Sequence, residues 1–225
     1  MNALGIAFSA RRKGNCLDCV EYVLTKLRDH GFETSIVNAY EYSITPCSHC
    51  NYECFARSLR GADEKCPIHD DIPQIYTKMK EADIIVLAVP TYSGKASGPY
   101  CAFTERTQGI IESYEESKDK TLNKIIALIV IGNVPADGDL AYHAVILDHR
   151  DSKYPPPSAL LQSSEYGQSS VQGTLIEEEK VRDRLDGLVN SILRDWKSKH
   201  EESLQTHSFL TQSGEQTCTY VNFSK

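Results

Sequence analysis

The 225-residue sequence predicts an α/β domain on a doubly wound parallel sheet, and two features of the chain predict it. Two runs, residues 84–89 and 125–131, are apolar without a break. Such runs suit strands buried on both faces, whereas a strand with one wet face alternates. A strand, loop and helix unit also recurs along the chain, and fully apolar strands between amphipathic helices hide both faces only in a helix-covered parallel sheet.

Each element can be read in order. Residues 2–8 form a short apolar strand that runs into the polar stretch 9–15. Beyond it Cys16, Val20, Val23, Leu24 and Leu27 recur at helical spacing, and Gly31 stands where a helix terminates. Residues 32–37 read as the second strand. Asp70 and Asp71 followed by Pro73 signal a helix start, with Ile72, Ile75, Met79 and Ala82 as its buried stripe. The third strand, 84–89, stops at Pro90. The fourth, 125–131, ends at Gly132-Asn133, and Leu140, Ala141, Ala144, Val145 and Leu147 suggest the next helix. Ala159-Leu160-Leu161 is the candidate fifth strand within a proline- and serine-rich stretch. Val181, Leu185, Leu188, Val189, Ile192 and Trp196 mark the last helix. Residues 1–199 are therefore expected to form one domain, with 200–225 as a loosely docked or disordered tail where periodicity is lost.

Composition narrows the function. With 40% hydrophobic residues the chain can build one sizeable core, and no run approaches the ~18 apolar residues of a membrane span. A net charge of −7 with a single short basic cluster offers no cationic face for a nucleic acid. The expectation is a cytoplasmic protein with neither membrane nor nucleic-acid partner. Eight cysteines in a chain of this size and core content point to reduced thiols, a metal or a cluster, because disulfide frameworks belong to small secreted domains.

Ligands of open parallel sheets bind outside the carboxyl ends of the strands, so the loops there carry the functional reading. The first is Ser9-Ala10-Arg11-Arg12-Lys13-Gly14-Asn15-Cys16, which combines a hydroxyl, cations, a flexible glycine and the free N–H groups of a helix start. These are the parts of an anion cradle. It lacks the Lys and Ser/Thr that follow the last glycine of a Walker loop, and it lacks the three-glycine dinucleotide fingerprint. The third strand delivers Pro90-Thr91-Tyr92-Ser93-Gly94, where a planar ligand can stack on Tyr92 and meet backbone N–H donors. Gly132-Asn133 supplies a third loop able to close over a ring.

Four cysteines, Cys47, Cys50, Cys54 and Cys66, fall within 20 residues between the second strand and the Asp70 helix. Thiolates so close can hold an iron–sulfur cluster or a tetrahedral zinc, or remain free redox-active thiols, and the proline after Cys66 is familiar from ferredoxins. His49 reads as a loop residue. Cys16-Leu17-Asp18-Cys19 matches a thioredoxin-type spacing at a helix start, but the basic cradle before it argues for packing. His143 and Tyr142 read as helix-face residues.

Taken in order, the loop from Ser9 to Asn15, the cysteine stretch, His69-Asp70-Asp71-Ile72, Glu81-Ala82-Asp83, Pro90-Thr91-Tyr92-Ser93-Gly94 and Phe103-Thr104-Glu105-Arg106 resemble the flavodoxin-like NADPH-dependent FMN reductases, and among them the iron–sulfur flavoproteins. The resemblance covers roughly residues 3–110 and weakens toward 193. It implies a five-stranded sheet of order 2-1-3-4-5. It also implies an FMN whose phosphate lies on Ser9, Arg11, Gly14, Asn15 and Cys16, and whose isoalloxazine lies on Pro90 to Gly94. Cys16 departs from the family's usual Ser or Thr. The cysteine spacing departs too, with three residues between Cys50 and Cys54 and eleven before Cys66, where the iron–sulfur branch has two and a short gap. The implied activity is electron transfer from NAD(P)H through FMN, with or without a [4Fe-4S] cluster on the four cysteines, to a quinone, other small molecule or protein. A homodimer or homotetramer is implied as well. A non-enzymatic electron carrier is the alternative, and a zinc-stapled module holding some other phosphorylated ligand is a third reading.

Overall fold

In the computed structural model, residues 1–48, 66–110, 124–135, 137–150 and 152–212 are described, with side chains at 107–110, 137 and 202–212 excepted. β1 (Asn2–Ala7) leads through the basic loop to α1 (Asn15–Asp29), and β2 (Glu33–Asn38) follows. After the cysteine stretch come α2 (Ile72–Glu81), β3 (Ile84–Tyr92), the two-residue β4 (Lys95–Ala96) and α3 (Gly98–Ile110). Next are β5 (Ile125–Gly132), α4 (Asp137–Asp148), β6 (Ser158–Gln162) and the long α5 (Glu179–Gln212).

The sheet order is β2-β1-β3-β5-β6, all parallel, with β4 turning back antiparallel onto the end of β3. Without that hairpin strand it is the expected 2-1-3-4-5 order. β5 is buried along its whole length and β3 through Pro90, which explains their unbroken apolar sequence.

One face of the sheet packs on α1 and α5, the other on α2, α3 and α4. The first face is shaped by small residues. β1 offers Ala3, Gly5 and Ala7 there, and a Cβ at Gly5 would lie 2.2 Å from Val20 Cγ1 and 2.8 Å from Leu24 Cδ1. The helix therefore sits directly on the strand backbone. At the far end of this layer Trp196 meets Phe32 edge-on at 5.4 Å.

Three elements differ from the sequence reading. β3 does not stop at Pro90 but continues to Tyr92, because a parallel neighbour still pairs Pro90 with Ile131 and the hairpin then takes over the pairing. α4 exists as expected but buries Ala141 and Val145, leaving Leu140 and Leu147 at 67% and 57% exposure. α5 runs on to Gln212, past residue 199 where its apolar spacing fades. Lys124 caps α2 by donating to the carbonyls of Lys80 (2.8 Å) and Ala82.

Candidate functional site

The loops 9–16, 90–94 and 132–133 meet at the carboxyl edge of the sheet. In the basic loop, Gly14 is the residue before α1, at φ +148°, a conformation open to glycine and strained for other residues. Ser9 is buried, and its Oγ accepts from the Arg11 N–H (3.2 Å), which curls the loop back toward the helix N-terminus. Asn38, at the end of β2, donates through Nδ2 to the Arg12 carbonyl (2.8 Å) and holds the loop from the side.

The three cations have different surroundings. The Arg11 guanidinium donates to the carbonyls of Ser170 and Val171, both at 2.8 Å, and Arg12 lies over the Tyr40 ring at 5.7 Å. Lys13 is exposed, with no side-chain hydrogen bond among the described residues. Asn15 is buried and faces the same loop as Arg11, donating through Nδ2 to the Ser170 carbonyl (3.4 Å) and accepting at Oδ1 from the Leu175 N–H (3.1 Å). These contacts span some 160 residues of sequence, so no local pattern signals them.

Cys16 and Cys19 both point into the α1 core. Burial pushes the Cys16 thiol up to about 12, against a smaller lowering by the Arg11 charge, and pushes Cys19 higher still. Both are neutral thiols at physiological pH, which is packing chemistry and not the thiolate chemistry of a thioredoxin.

The β3 loop is a two-residue hairpin in which Tyr92 pairs with Lys95, and Ser93 and Gly94 have φ +51° and +74°. Positive φ at both central positions defines a type I′ turn, where Gly94 is relaxed and Ser93 is strained. The turn holds Tyr92 at the sheet edge with 45% of its surface open. Beneath it, β5 and α4 meet closely: a Cβ on Gly132 would stand 3.0 Å from Gly138 Cα and 3.3 Å from Thr91 Oγ1. Asn133 is fixed by Ser163, whose Oγ donates to Asn133 Oδ1 (3.0 Å). Gln162 at the end of β6 is buried. Its Nε2 donates to Asp139 Oδ1 (3.1 Å), while its Oε1 has no hydrogen-bond partner among the described residues. Ser97, at the entry to α3, donates to the Phe8 carbonyl (2.7 Å) and ties the hairpin to the start of the basic loop.

A second constellation holds the stems of the cysteine stretch. Arg106 of α3 is buried in an ion pair with Asp70 and donates to the Thr45 carbonyl (3.0 Å), the Ile68 carbonyl (3.4 Å) and Cys66 Sγ (3.4 Å). Asp70 accepts from the Thr45 N–H (2.9 Å) and Asp71 from the Ser43 N–H (2.7 Å), while Glu105, the residue before Arg106, accepts from the Cys47 N–H (3.3 Å). Cys47 and Cys66 are half-buried and free of disulfides. Cys50, Cys54 and His49 lie outside the described residues. Glu105 and Arg106 stand in the sequence only as carriers of the resemblance and Asp70 also as part of a helix start, with no contact assigned to any of them. Tyr142 donates to or accepts from Ser158 Oγ at 2.6 Å, and His143 is exposed, as helix-face positions would be.

A five-stranded parallel sheet with its loops gathered at one carboxyl edge is the architecture of the flavodoxin-like flavoproteins. The sequence profile of the NADPH-dependent FMN reductases matches residues 1–147, and the chain belongs to that family. It is 30% identical over 132 residues to an iron–sulfur flavoprotein of Methanocaldococcus jannaschii, covering 59% of this chain and 62% of that protein. It is 33% identical over 107 residues to one from Methanosarcina thermophila, covering 48% and 52%. The chain thus spans about half to three-fifths of the curated relatives it matches. Among solved structures, the Trp repressor binding protein of Bacillus subtilis superimposes with a TM-score of 0.58 at 14% identity, over 83% of this chain and 97% of the other. A flavone reductase superimposes with 0.58 at 16%, over 85% and 63%. These likenesses concern the fold.

Proposed function

We propose that the protein is an FMN-dependent oxidoreductase that takes electrons from NAD(P)H and delivers them to a quinone, another small molecule or a protein. The observation that carries this reading is the half-open Tyr92 on its I′ hairpin, set at the same sheet edge as the α1 N-terminus. An aromatic face beside an anion cradle suits a planar ring that carries a phosphate arm. The residues present fit FMN on a further count: the buried Gln162 Oε1 at this edge has no partner among the described residues and is an acceptor of the kind a polar ligand can satisfy.

When bound, FMN supplies the hydride and single-electron chemistry, so the chain needs no dedicated acid or base. Its own residues would bind and orient. The N–H groups at the start of α1, with the Ser9 hydroxyl, would meet the phosphate, Tyr92 would cover a ring face, and the N–H groups of Thr91 to Gly94 would meet ring acceptors. Close packing of Gly132 on Gly138 and Thr91 leaves no room for a side chain at residue 132.

The test is direct. FMN is expected to copurify or to be taken up on reconstitution, Tyr92→Ala to weaken its retention, and NADH or NADPH to be oxidised in steady state. Protein with no affinity for FMN would sink the proposal.

The cysteine stretch belongs to the same reading. Cys47, Cys50, Cys54 and Cys66 would hold an iron–sulfur cluster, as the names of the curated relatives suggest, with zinc the lesser candidate. Changing any one to Ser should then abolish metal content, since losing one thiolate opens the shell. Four stable variants with unchanged iron and zinc would refute this part alone. FMN binding without NAD(P)H oxidation would instead favour the electron carrier. A cytoplasmic homodimer or homotetramer completes the proposal, checked by sedimentation. Among the described residues no helix is long and apolar enough to cross a membrane.

A further inference from the structure

We infer that residues 168–175 form a strap across the phosphate cradle and that Arg11 is a positioning residue that fastens it, not the counter-charge of the phosphate. The inference rests on the flavin reading above and deepens it.

The strap lies between β6 and α5. It starts after Gly167, at φ +66°, where the Gln168 N–H donates to the Ser163 carbonyl (2.9 Å), and it ends at Leu175, which is sunk completely in the α1–α5 core. Within it the Val171 N–H donates to Ser169 Oγ (3.3 Å), and Thr174 Oγ1 donates to Gln168 Oε1 (2.7 Å). Its middle is held to the cradle and to little else. Arg11 grips the Ser170 and Val171 carbonyls, Asn15 bonds the Ser170 carbonyl and the Leu175 N–H, and a Cβ on Gly173 would come 3.6 Å from Gly14 Cα. Val171 itself is 75% exposed, so apolar burial does not hold this bend in place.

Carbonyl oxygens next to a phosphate repel it unless a cation lies between. The Arg11 fork spends two N–H donors on two such oxygens, turning an electronegative rim into one an anion can approach. A planar guanidinium can bridge two carbonyls in this way. An ammonium is a point charge and cannot reproduce the fork. The charge facing the phosphate would then come from the α1 N-terminus and the exposed Lys13.

This separates two roles that a charge-only account would merge. If Arg11 fastens the strap, R11K should bind FMN about as weakly as R11Q, each on the order of tenfold weaker than the parent, the scale of one charge-assisted hydrogen bond. The salt dependence of affinity should stay close to the parent's, because the charge met by the phosphate is elsewhere. Backbone exchange at 168–175, read by hydrogen–deuterium exchange in flavin-free protein, should accelerate in both variants. Gly173→Ala, which strains the strap at φ +75° without touching Arg11, should weaken FMN too, and combined with R11Q should add little further. Should R11Q fail to fold, R11K and G173A carry the test. Parental affinity in R11K, with a flattened salt dependence in R11Q, would overturn the inference, as would exchange at 168–175 unchanged by R11Q. A parent protein that binds no FMN would defeat the flavin reading instead. The exchange result would still decide whether Arg11 holds the strap.

Discussion

Two pairs of cysteines in this chain share a chemistry and differ in everything around it. Cys16 and Cys19 face the α1 layer among Val20, Val23, Leu24 and the β1 backbone, with burial holding their protons on. Cys47 and Cys66 sit half-buried on loop stems, one N–H on Glu105 and one sulfur on Arg106, with the stems joined through a buried ion pair. The two-residue spacing at the start of α1 matches a redox motif, yet both thiols are core, as the basic loop before them argues. Surroundings, more than spacing, set what a thiol can do.

The largest expected effect comes from breaking the polar pair beneath the second site. Asp70→Asn leaves the Arg106 charge buried without its partner and should cost about 3–5 kcal/mol in urea unfolding. The double variant D70N with R106Q should cost less than the sum of its singles, since each alone strands the other group. A loss under about 1 kcal/mol for Asp70→Asn would mean that the stems are held by something else.

Next is the alkaline limit of the first pair. The folded state holds the Cys16 proton up to about 12, whereas an ordinary thiol releases it near 9.0. The folded protein therefore binds more protons across that window. Stability should be intact below pH 9 and fall as pH rises toward 12, by roughly 1 kcal/mol per pH unit from Cys16 alone. Cys16→Ala should flatten that decline in part, leaving the share that buried Cys19 contributes. Chemical denaturation at stepped pH reads both.

Gly5→Ala tests how tightly the first region is packed. Its Cβ would strike Val20 at 2.2 Å, and the expected cost is about 1–3 kcal/mol, read as a lowered thermal midpoint. The smallest perturbation sharpens the contrast without changing the sequence. In folded protein stripped of metal, at pH 8, iodoacetamide should label Cys47 and Cys66 well before Cys16 and Cys19, which need local opening first, and peptide mass spectrometry orders the four.

Much of the fold was legible because its causes are local or periodic. The unbroken apolar runs in β3 and β5 follow from burial on both faces, and the start of α2 follows from Pro73 behind an acidic pair. Even the weak β6, Ala159-Leu160-Leu161, lay where expected. The turn after Tyr92 was legible in kind, since Gly94 supplies the positive φ that a tight hairpin needs. The true end of β3 was not, because pairing with β5 and the hairpin carries the strand past a proline that closes it when read alone.

What the chain determined by itself is therefore the alternation of strands and helices, the small-residue face that draws α1 onto β1, and the residue types at the sheet edge. Only the tertiary structure decided how those residues are used. It set Arg11 against carbonyls 159 and 160 residues away and sealed Cys16 in the core. It also paired Arg106 with Asp70 across 36 residues of chain. Burial and hydrogen-bond partners depend on which segments the sheet brings side by side, and periodicity within one segment carries no information about its neighbour.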